Sequence, residues 1–496
     1  MPFLVDGFIR GKMMKKSDNK VEKKKRTIYS YVKIFISFLF LVVSCILLLS
    51  LVKTKMLPNK YLLGIIGLVV VLNIICDFFI LFKNKILNVI GFILVMLLGI
   101  AFGMGTSYVN NTINILEDMV SVVEEKTKYY VLTIKSDEYN TLSDLKGHKT
   151  GIMKQNSDDV KKEIGKQVSL EYEDYDSVGN MMYDLELNEI DSMVVSSTIY
   201  DLLLEENSSF MELVKKVGEV VVTGKVNRTE STIDVGKSFI VYISGLDTRD
   251  TRYISPIGLS DVNILAVINP MNHNILLVSI PRDYYVLVHG TTGMKDKLTH
   301  AGLYGIDASM KTVEDIFDIN INAYVKVNFK ALTSVVDAID GIDVYSDKTF
   351  KSFHKRGWTV KQGINHMDGE KALAYSRERY AYSTGDRHRG QNQTDVMAAI
   401  IQKISSDKKY LLKYDDILKS IKPYVATNIK MDDIQGIARN QLETMSSWTV
   451  TNISVNGSDG QNYTASFPKQ LTYVMNPIQK TIDDAKDKIN QTMKGE

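Results

Sequence analysis

The sequence predicts an α/β protein carried on a membrane anchor of three helices. Three long apolar runs within the first 107 residues predict the anchor. Beyond them, short apolar runs alternate with helical stripes and turn residues, which predicts two α/β parts, a small one and a larger one with a central mixed sheet flanked by helices. Charge divides the chain in the same place. The first 107 residues carry about +11 against a total of +2, so the remainder is about −9. A net-acidic bulk does not suit a protein that grips nucleic acid by counterion release, so nucleic acid is excluded as a partner. The two cysteines, Cys45 and Cys76, both lie in apolar runs, and neither a disulfide nor a zinc site can be read from them.

The anchor comes first. Residues 34–52 and 86–104 hold no charge, and residues 61–82 hold one acid, Asp77. Each run is long enough for a helix to cross the hydrocarbon core. Residues 1–28 form a basic tail, with KKSDNKVEKKKR at 15–26. Lys/Arg bias keeps that tail cytoplasmic, puts 53–60 outside and 83–85 inside, and leaves everything after about residue 108 outside the cell. The spans thus occupy 29–107, an accessory domain 108–225 and the last domain 226–496. Lys33 and Asp77 fall at similar depth near the inner leaflet, and an unpaired carboxylate there is expensive. This predicts an ion pair between them, with Asn73 and Asp77 on a face that meets another helix.

The middle segment alternates strand and helix. Strands are expected over 129–134, 149–153 and 192–196, with a helix over 177–187 whose stripe is Val178, Met181, Met182 and Leu185. "LSDLKGHKTGIM" and "YDLELNEIDSMVV" are similar to pieces of an extracellular solute-binding α/β fold. Residues 224–234 are polar and read as the linker onward.

In the last domain, strands are expected over 238–244, 264–269, 274–280 and 322–329, followed by a helix over 330–339. Charged residues gather just past strand ends, where α/β folds place ligand sites. The candidates are Asp247, Arg249, Asp261, Arg282, Lys297, Arg377, Arg379, Arg387 and Arg389. The chain from Tyr375 is read as extended, which puts Arg377 and Arg379 on one face and Glu378 on the other. Paired guanidinium groups suit a diphosphate, because each can bind phosphate oxygens in a bidentate manner. Val396, Met397, Ile400, Ile401 and Ile404 mark the buried stripe of a helix, with the polar Gln393 on its inward face at its beginning and Arg389 beside that end. A helix N-terminus beside an arginine is an anion seat. The chain contains no phosphate-binding loop, no zinc-protease motif and no nucleophile elbow. The remaining chemistry is carboxylates plus arginines. Asp247 and Asp261 suit Mg²⁺ or Mn²⁺, which takes one or two carboxylates plus substrate phosphates.

These stretches resemble the LytR–CpsA–Psr family. They are SGLDTR at 244–249, LSDVN at 259–263, SIPRD at 279–283, KDKLTHAG at 295–302, VKVNF at 325–329, GEKALAYSRERY at 369–380 and GDRHRGQNQ at 385–393. Three helices followed by an extra domain resemble the streptococcal capsule-assembly branch of that family. The resemblance implies a phosphotransferase outside a Gram-positive membrane that moves a glycopolymer, capsular or a related anionic one, from undecaprenyl diphosphate to peptidoglycan. Its implied partners are that lipid-linked polymer, peptidoglycan, membrane lipid and capsule-assembly membrane proteins. It assigns Asp247 and Asp261 to the metal. Arg282, Arg377, Arg379 and Arg389 go to the diphosphate, with Gln393 beside them. Lys297 goes to the pocket, and Arg249 and Arg387 to substrate binding. Asp247, Arg282, Arg377 and Arg379 are the implied catalytic set, and Asp247 is the better candidate for a general base. GDRHRGQNQ departs from the commoner Gly-Asp-x-x-Arg-x-x-Arg-Gln-Gln pattern at Arg387 and Gln391. A non-catalytic polyprenyl-phosphate-binding scaffold or regulator of capsule assembly is the alternative.

Overall fold

The structure is a computed structural model. It describes residues 3–120, 124–155, 157–225, 230–246, 257–291, 293–383, 385–407, 409–410 and 414–496. The chain divides into two compact units, 1–114 with 438–443 and 115–437 with 444–496.

The first unit holds three helices, α1 (Phe3–Lys53), α2 (Asn59–Leu81) and α3 (Lys85–Val120). Each contains a stretch long and apolar enough to cross a membrane: Arg26–Lys53, Asn59–Leu81 and Lys85–Glu117. The last carbonyls of α2 have no partner within the helix, and in hydrocarbon that is costly. Asn88 of α3 supplies the donors: its side-chain amide bonds the Phe79, Ile80 and Phe82 carbonyls at 3.1, 2.9 and 2.7 Å. Lys33 adds a fourth bond, to Phe82 at 3.2 Å. The expected Lys33–Asp77 pair does not form. Lys33 is drawn to those orphan carbonyls, and Asp77 accepts from Ser37, one turn further along α1. Asn73 does face a neighbouring helix: it is buried and donates to Ser44 at 2.9 Å.

Among its described residues, the second unit holds two large sheets and four two-stranded ones. The first has five strands in the order β3-β2-β4-β1-β5: β1 (Glu124–Ile134), β2 (Lys149–Met153), β3 (Glu171–Tyr175), β4 (Ser192–Ser196) and β5 (Val214–Lys225). β2 runs parallel to β3 and β4, while β1 is antiparallel to β4 and β5. Helices α4 (Ser157–Gly165), α5 (Val178–Glu186), α6 (Ser197–Glu206) and α7 (Ser208–Leu213) accompany it. Ser177 caps α5 by accepting from the Asn180 N–H, and Ser196 caps α6 through Ile199. The chain's own residues 466–467 pack against the start of α5. The Ser466 carbonyl accepts from the Gly179 N–H at 2.8 Å and from the Ser177 hydroxyl at 3.0 Å. Gly179 is required, because a Cβ there would lie 2.9 Å from both Phe467 Cα and the Ser466 carbonyl oxygen.

Six strands form the larger sheet. β6 (Phe239–Leu246), β7 (Ser260–Asn269) and β8 (Asn274–Ile280) are successive antiparallel neighbours. After the short pair β9 (Tyr285–Leu287) and β10 (Lys295–Lys297) comes α8 (Ile306–Phe317), then β11 (Ala323–Asn328), parallel to β6, and α9 (Phe329–Ala338). Two further strands close the sheet: 425–427 lies antiparallel to β11, and 449–454 parallel to β8. All eight residues of β6 are buried, as expected of a strand covered on both faces. One face packs Tyr242, Leu265 and Val278 with α8 and the C-terminal helix Gln479–Lys494. The other packs Val241, Ile264 and Leu277 against α11 (Asp386–Ser406), which follows α10 (Gly369–Ser376). The C-terminal ends of β6, β8 and β11 and the start of β7 therefore share one edge.

Candidate functional site

At that edge lies a cavity of about 300 Å³, lined by Asp261, Arg282, Phe329, Arg377, Arg379, Arg389 and Gln393, and also by Asp201, Glu205 and His354. β7 begins with Asp261 at its second residue, and Arg282 follows β8 across Pro281. α10 ends where Arg377 takes its C-terminal cap position in helical conformation (φ −97°, ψ −7°). The helix thus runs one residue past Tyr375, to Ser376, and its cap Arg377 is still helical, against the extended chain expected from Tyr375; Asp368 caps its start, and Ala372 and Tyr375 bury its inner face. The alternation survives just beyond it. Arg377 and Arg379 both face the cavity, while Glu378 turns inward and is fully buried. The Arg377 guanidinium carbon lies 4.7 Å from the centre of the Phe329 ring, a cation–π distance.

Arg282 is held at both ends of its fork. Nη1 bonds Asp261 Oδ1 and Nη2 bonds Glu205 Oε1, each at 2.9 Å. Burial works against its charge, but Asp261, Asp283 and Glu205 outweigh burial and push its pKa further up. Asp283 is displaced upward by burial, partly offset by Arg282 and Lys297. His354 is pushed below its ordinary value by burial and by Arg377.

Lys297 stands behind this wall. Its side chain is 3% exposed, and its Nζ bonds Glu206 Oε1 at 2.5 Å. Arg387 lines a small adjoining cleft with Arg282 and Arg389, and donates to the Gly457 carbonyl at 2.8 Å. Arg389 bonds Asp386 at 2.9 Å in the first turn of α11. Gln393 was expected at the beginning of this helix. It lies two turns inside, because α11 starts at Asp386 and its first turns are polar where they face the cavity and not the core. Its fully buried polar neighbours are Asn392, which donates to the Tyr375 carbonyl at 3.2 Å, and Thr394. Asp247 and Arg249 lie outside the described residues.

A second, apolar cleft adjoins the cavity and shares Val262, Phe329, Arg377 and Gln393 with it. Ile264, Val327, Leu332 and Val396 line it further in. Sequence reasoning missed the accessory contribution altogether. Glu205 and Glu206, at the end of α6, reach Arg282 and Lys297 from 77 and 91 residues away. "LLLEEN" carries no signal for this beyond two acids at a helix end. Four guanidinium groups outnumber the three lining carboxylates, two of which are paired with Arg282; with the apolar annex they suit an anionic group attached to an apolar tail.

The model of the LytR_cpsA_psr family matches residues 207–484, more than half of the chain. The chain belongs to that family. Within the family, it is 31% identical over 275 residues to the polyisoprenyl-teichoic acid–peptidoglycan teichoic acid transferase TagU of Enterococcus faecalis, across 53% of this chain and 89% of that one. The protein of the same name from Bacillus cereus is 36% identical over 166 residues, and the match spans 33% of this chain and about half, 53%, of that one. Among solved structures, B. subtilis TagV is 28% identical over 52% of this chain and 98% of its own, with a TM-score of 0.44.

Proposed function

We propose that the protein is a phosphotransferase that moves a glycopolymer from a polyprenyl diphosphate carrier to peptidoglycan on the outer face of the membrane. One observation carries this reading: a cavity walled by Arg282, Arg377, Arg379 and Arg389 opens into an apolar cleft. The two compartments suit the two halves of such a lipid. The guanidinium groups would bind the diphosphate, and Ile264, Val327, Leu332 and Val396 would take the first isoprene units. The relatives named above act by name on a polyisoprenyl-linked teichoic acid. A capsular polymer, which the three-helix arrangement resembles, is the finer version of the same reading.

In the reaction, a sugar hydroxyl of peptidoglycan attacks the phosphorus that bears the glycopolymer. The bond from that phosphorus to the bridging oxygen breaks, and polyprenyl phosphate leaves with the electron pair. The hydroxyl proton passes to a carboxylate, for which Asp247 is the assignment. The arginines stabilise charge that grows on the phosphate oxygens, and this is where preorganised donors are most effective. Asp261 faces the cavity, and with Asp247 of the SGLDTR stretch it would make a two-carboxylate donor set that suits Mg²⁺ or Mn²⁺. Such an ion would offset diphosphate charge. Capsule-assembly membrane proteins and membrane lipid complete the expected partners.

The test is transfer of a labelled lipid-linked polymer to peptidoglycan by the purified full-length chain. Arg377→Ala with Arg379→Ala should keep the melting temperature and reduce transfer by orders of magnitude. Full transfer by the double variant would sink the assignment. Equal activity in EDTA and in Mg²⁺ would remove the metal from it. Lipid binding without any transfer would favour a scaffold.

A further inference from the structure

Beside the arginine cavity, the chain holds two aromatic rings in water. Phe353 and Tyr380 are 63% and 57% exposed, with ring centres 4.3 Å apart and planes tilted by 45°. Single exposed aromatics need no explanation, but a fixed pair at the rim of a ligand cavity does. The pair is fixed by Glu378, whose side chain is fully buried. One of its carboxylate oxygens accepts from the Phe353 N–H at 2.9 Å, and the other from the N–H groups of Tyr380 and Ala381 at 3.0 and 3.3 Å. A buried carboxylate committed to three amides locks the 353 loop to the 380 loop.

The rings are also tied to the cavity wall. Arg379 donates to the Tyr380 hydroxyl at 2.9 Å and lies over the same ring, 5.0 Å from its centre. His354, which also lines the cavity, packs edge-on against Phe353 with ring centres 5.3 Å apart. The exposed pair thus continues the wall that holds Arg377 and Arg379.

We propose that Phe353 and Tyr380 form a sugar subsite that stacks on the pyranose joined to the diphosphate. The inference rests on the transferase reading and extends it from the phosphate to the first sugar. A pyranose offers a face of C–H groups that packs on the electron-rich face of an aromatic ring, while its hydroxyls remain in water. Rigid rings supply that contact at little entropic cost. A ring pair one residue from a phosphate-binding guanidinium lies where the sugar must emerge. A lipid surface is the competing occupant, since exposed aromatics also line membrane interfaces. The Arg379 bond to the Tyr380 hydroxyl and the Glu378 clamp favour the glycan, because a ring that only dips into lipid needs neither.

The test is calorimetry on the full-length chain in detergent with two probes, undecaprenyl diphosphate and undecaprenyl diphosphate bearing one glucose. The unsubstituted chain should bind the glucosylated probe more tightly. Phe353→Ala should weaken that probe by about tenfold and leave the plain diphosphate within about twofold, with an unchanged melting temperature. Phe353→Trp should restore the preference. Equal affinity for the two probes in the unsubstituted chain would overturn the subsite alone. Failure to bind either would overturn the transferase reading with it. If Phe353→Trp adds emission that brominated lipid quenches in reconstituted vesicles, the rim faces the bilayer and the proposal falls.

Discussion

Arg282 is the residue on which the cavity's electrostatics turn. Its fork is shared between Asp261 and Glu205, so its orientation is set before any phosphate arrives. A lysine keeps the charge but cannot make two directed bonds. Arg282→Lys should therefore lower transfer by at least about tenfold with little loss of stability, as measured by turnover alongside thermal melting. His354 and His388 give the fold a pH dependence. Burial pushes both below the ordinary value, with Arg377 adding to the effect at His354 and Asp347 opposing it at His388. The unfolded chain takes up protons near pH 6.5, and the fold resists until lower pH. Stability should hold above that value and fall as pH drops from it toward the folded values. His354→Gln and His388→Gln should flatten the melting temperature across that window, and an equally steep fall in both variants would exclude these groups as the cause. Both arginines of the SRER motif and the buried Glu378 were legible as alternating residues, because backbone alternation is local. The carboxylates that hold Arg282 were not all legible, because Glu205 is far away in sequence.

At the scale of elements, α6 is the clearest case of a helix whose role lies outside its own domain. Glu206 neutralises Lys297, whose side chain is 3% exposed and whose other carboxylate, Asp283, is 3.8 Å away. Removing one partner of a buried pair leaves a charge without compensation. Glu206→Ala should cost about 3 kcal/mol of stability, and Glu206→Leu with Lys297→Met should recover most of it in denaturant melts. Residues 466–467 dock on α5 in the same unit. Asp296 accepts from both the backbone N–H and the hydroxyl of Ser466, at 2.8 and 2.7 Å, and so presents its carbonyl to Gly179. Gly179→Val should force residues 466–467 off α5 and expose that segment to protease, with the unsubstituted chain as reference. The strands 149–153, 192–196 and 274–280 were legible to the residue, since each is a short run bounded by turn residues. The start of α11 was not, because its first two turns carry no apolar stripe.

For the whole molecule, the charge asymmetry of the first 107 residues predicts orientation. A reporter fused after residue 110 should be active outside the cell, and one fused at Asn84 inside. The reverse pattern would deny the cavity access to peptidoglycan.

The sequence by itself determined the three apolar spans, the succession of strands and helices along the chain and which arginines follow the ends of those elements, because hydropathy, alternation and motif spacing are properties of neighbouring residues. Only the tertiary structure decided who meets whom. It gave Lys33 to the Phe82 carbonyl instead of Asp77, since an unpaired helix end in hydrocarbon competes for any donor within reach. It also joined α6 to Arg282 and Lys297 and placed Asp261, Arg282, Arg377 and Arg389 around one cavity. Those contacts depend on how two sheets and their helices pack, and packing brings together residues that share no local pattern.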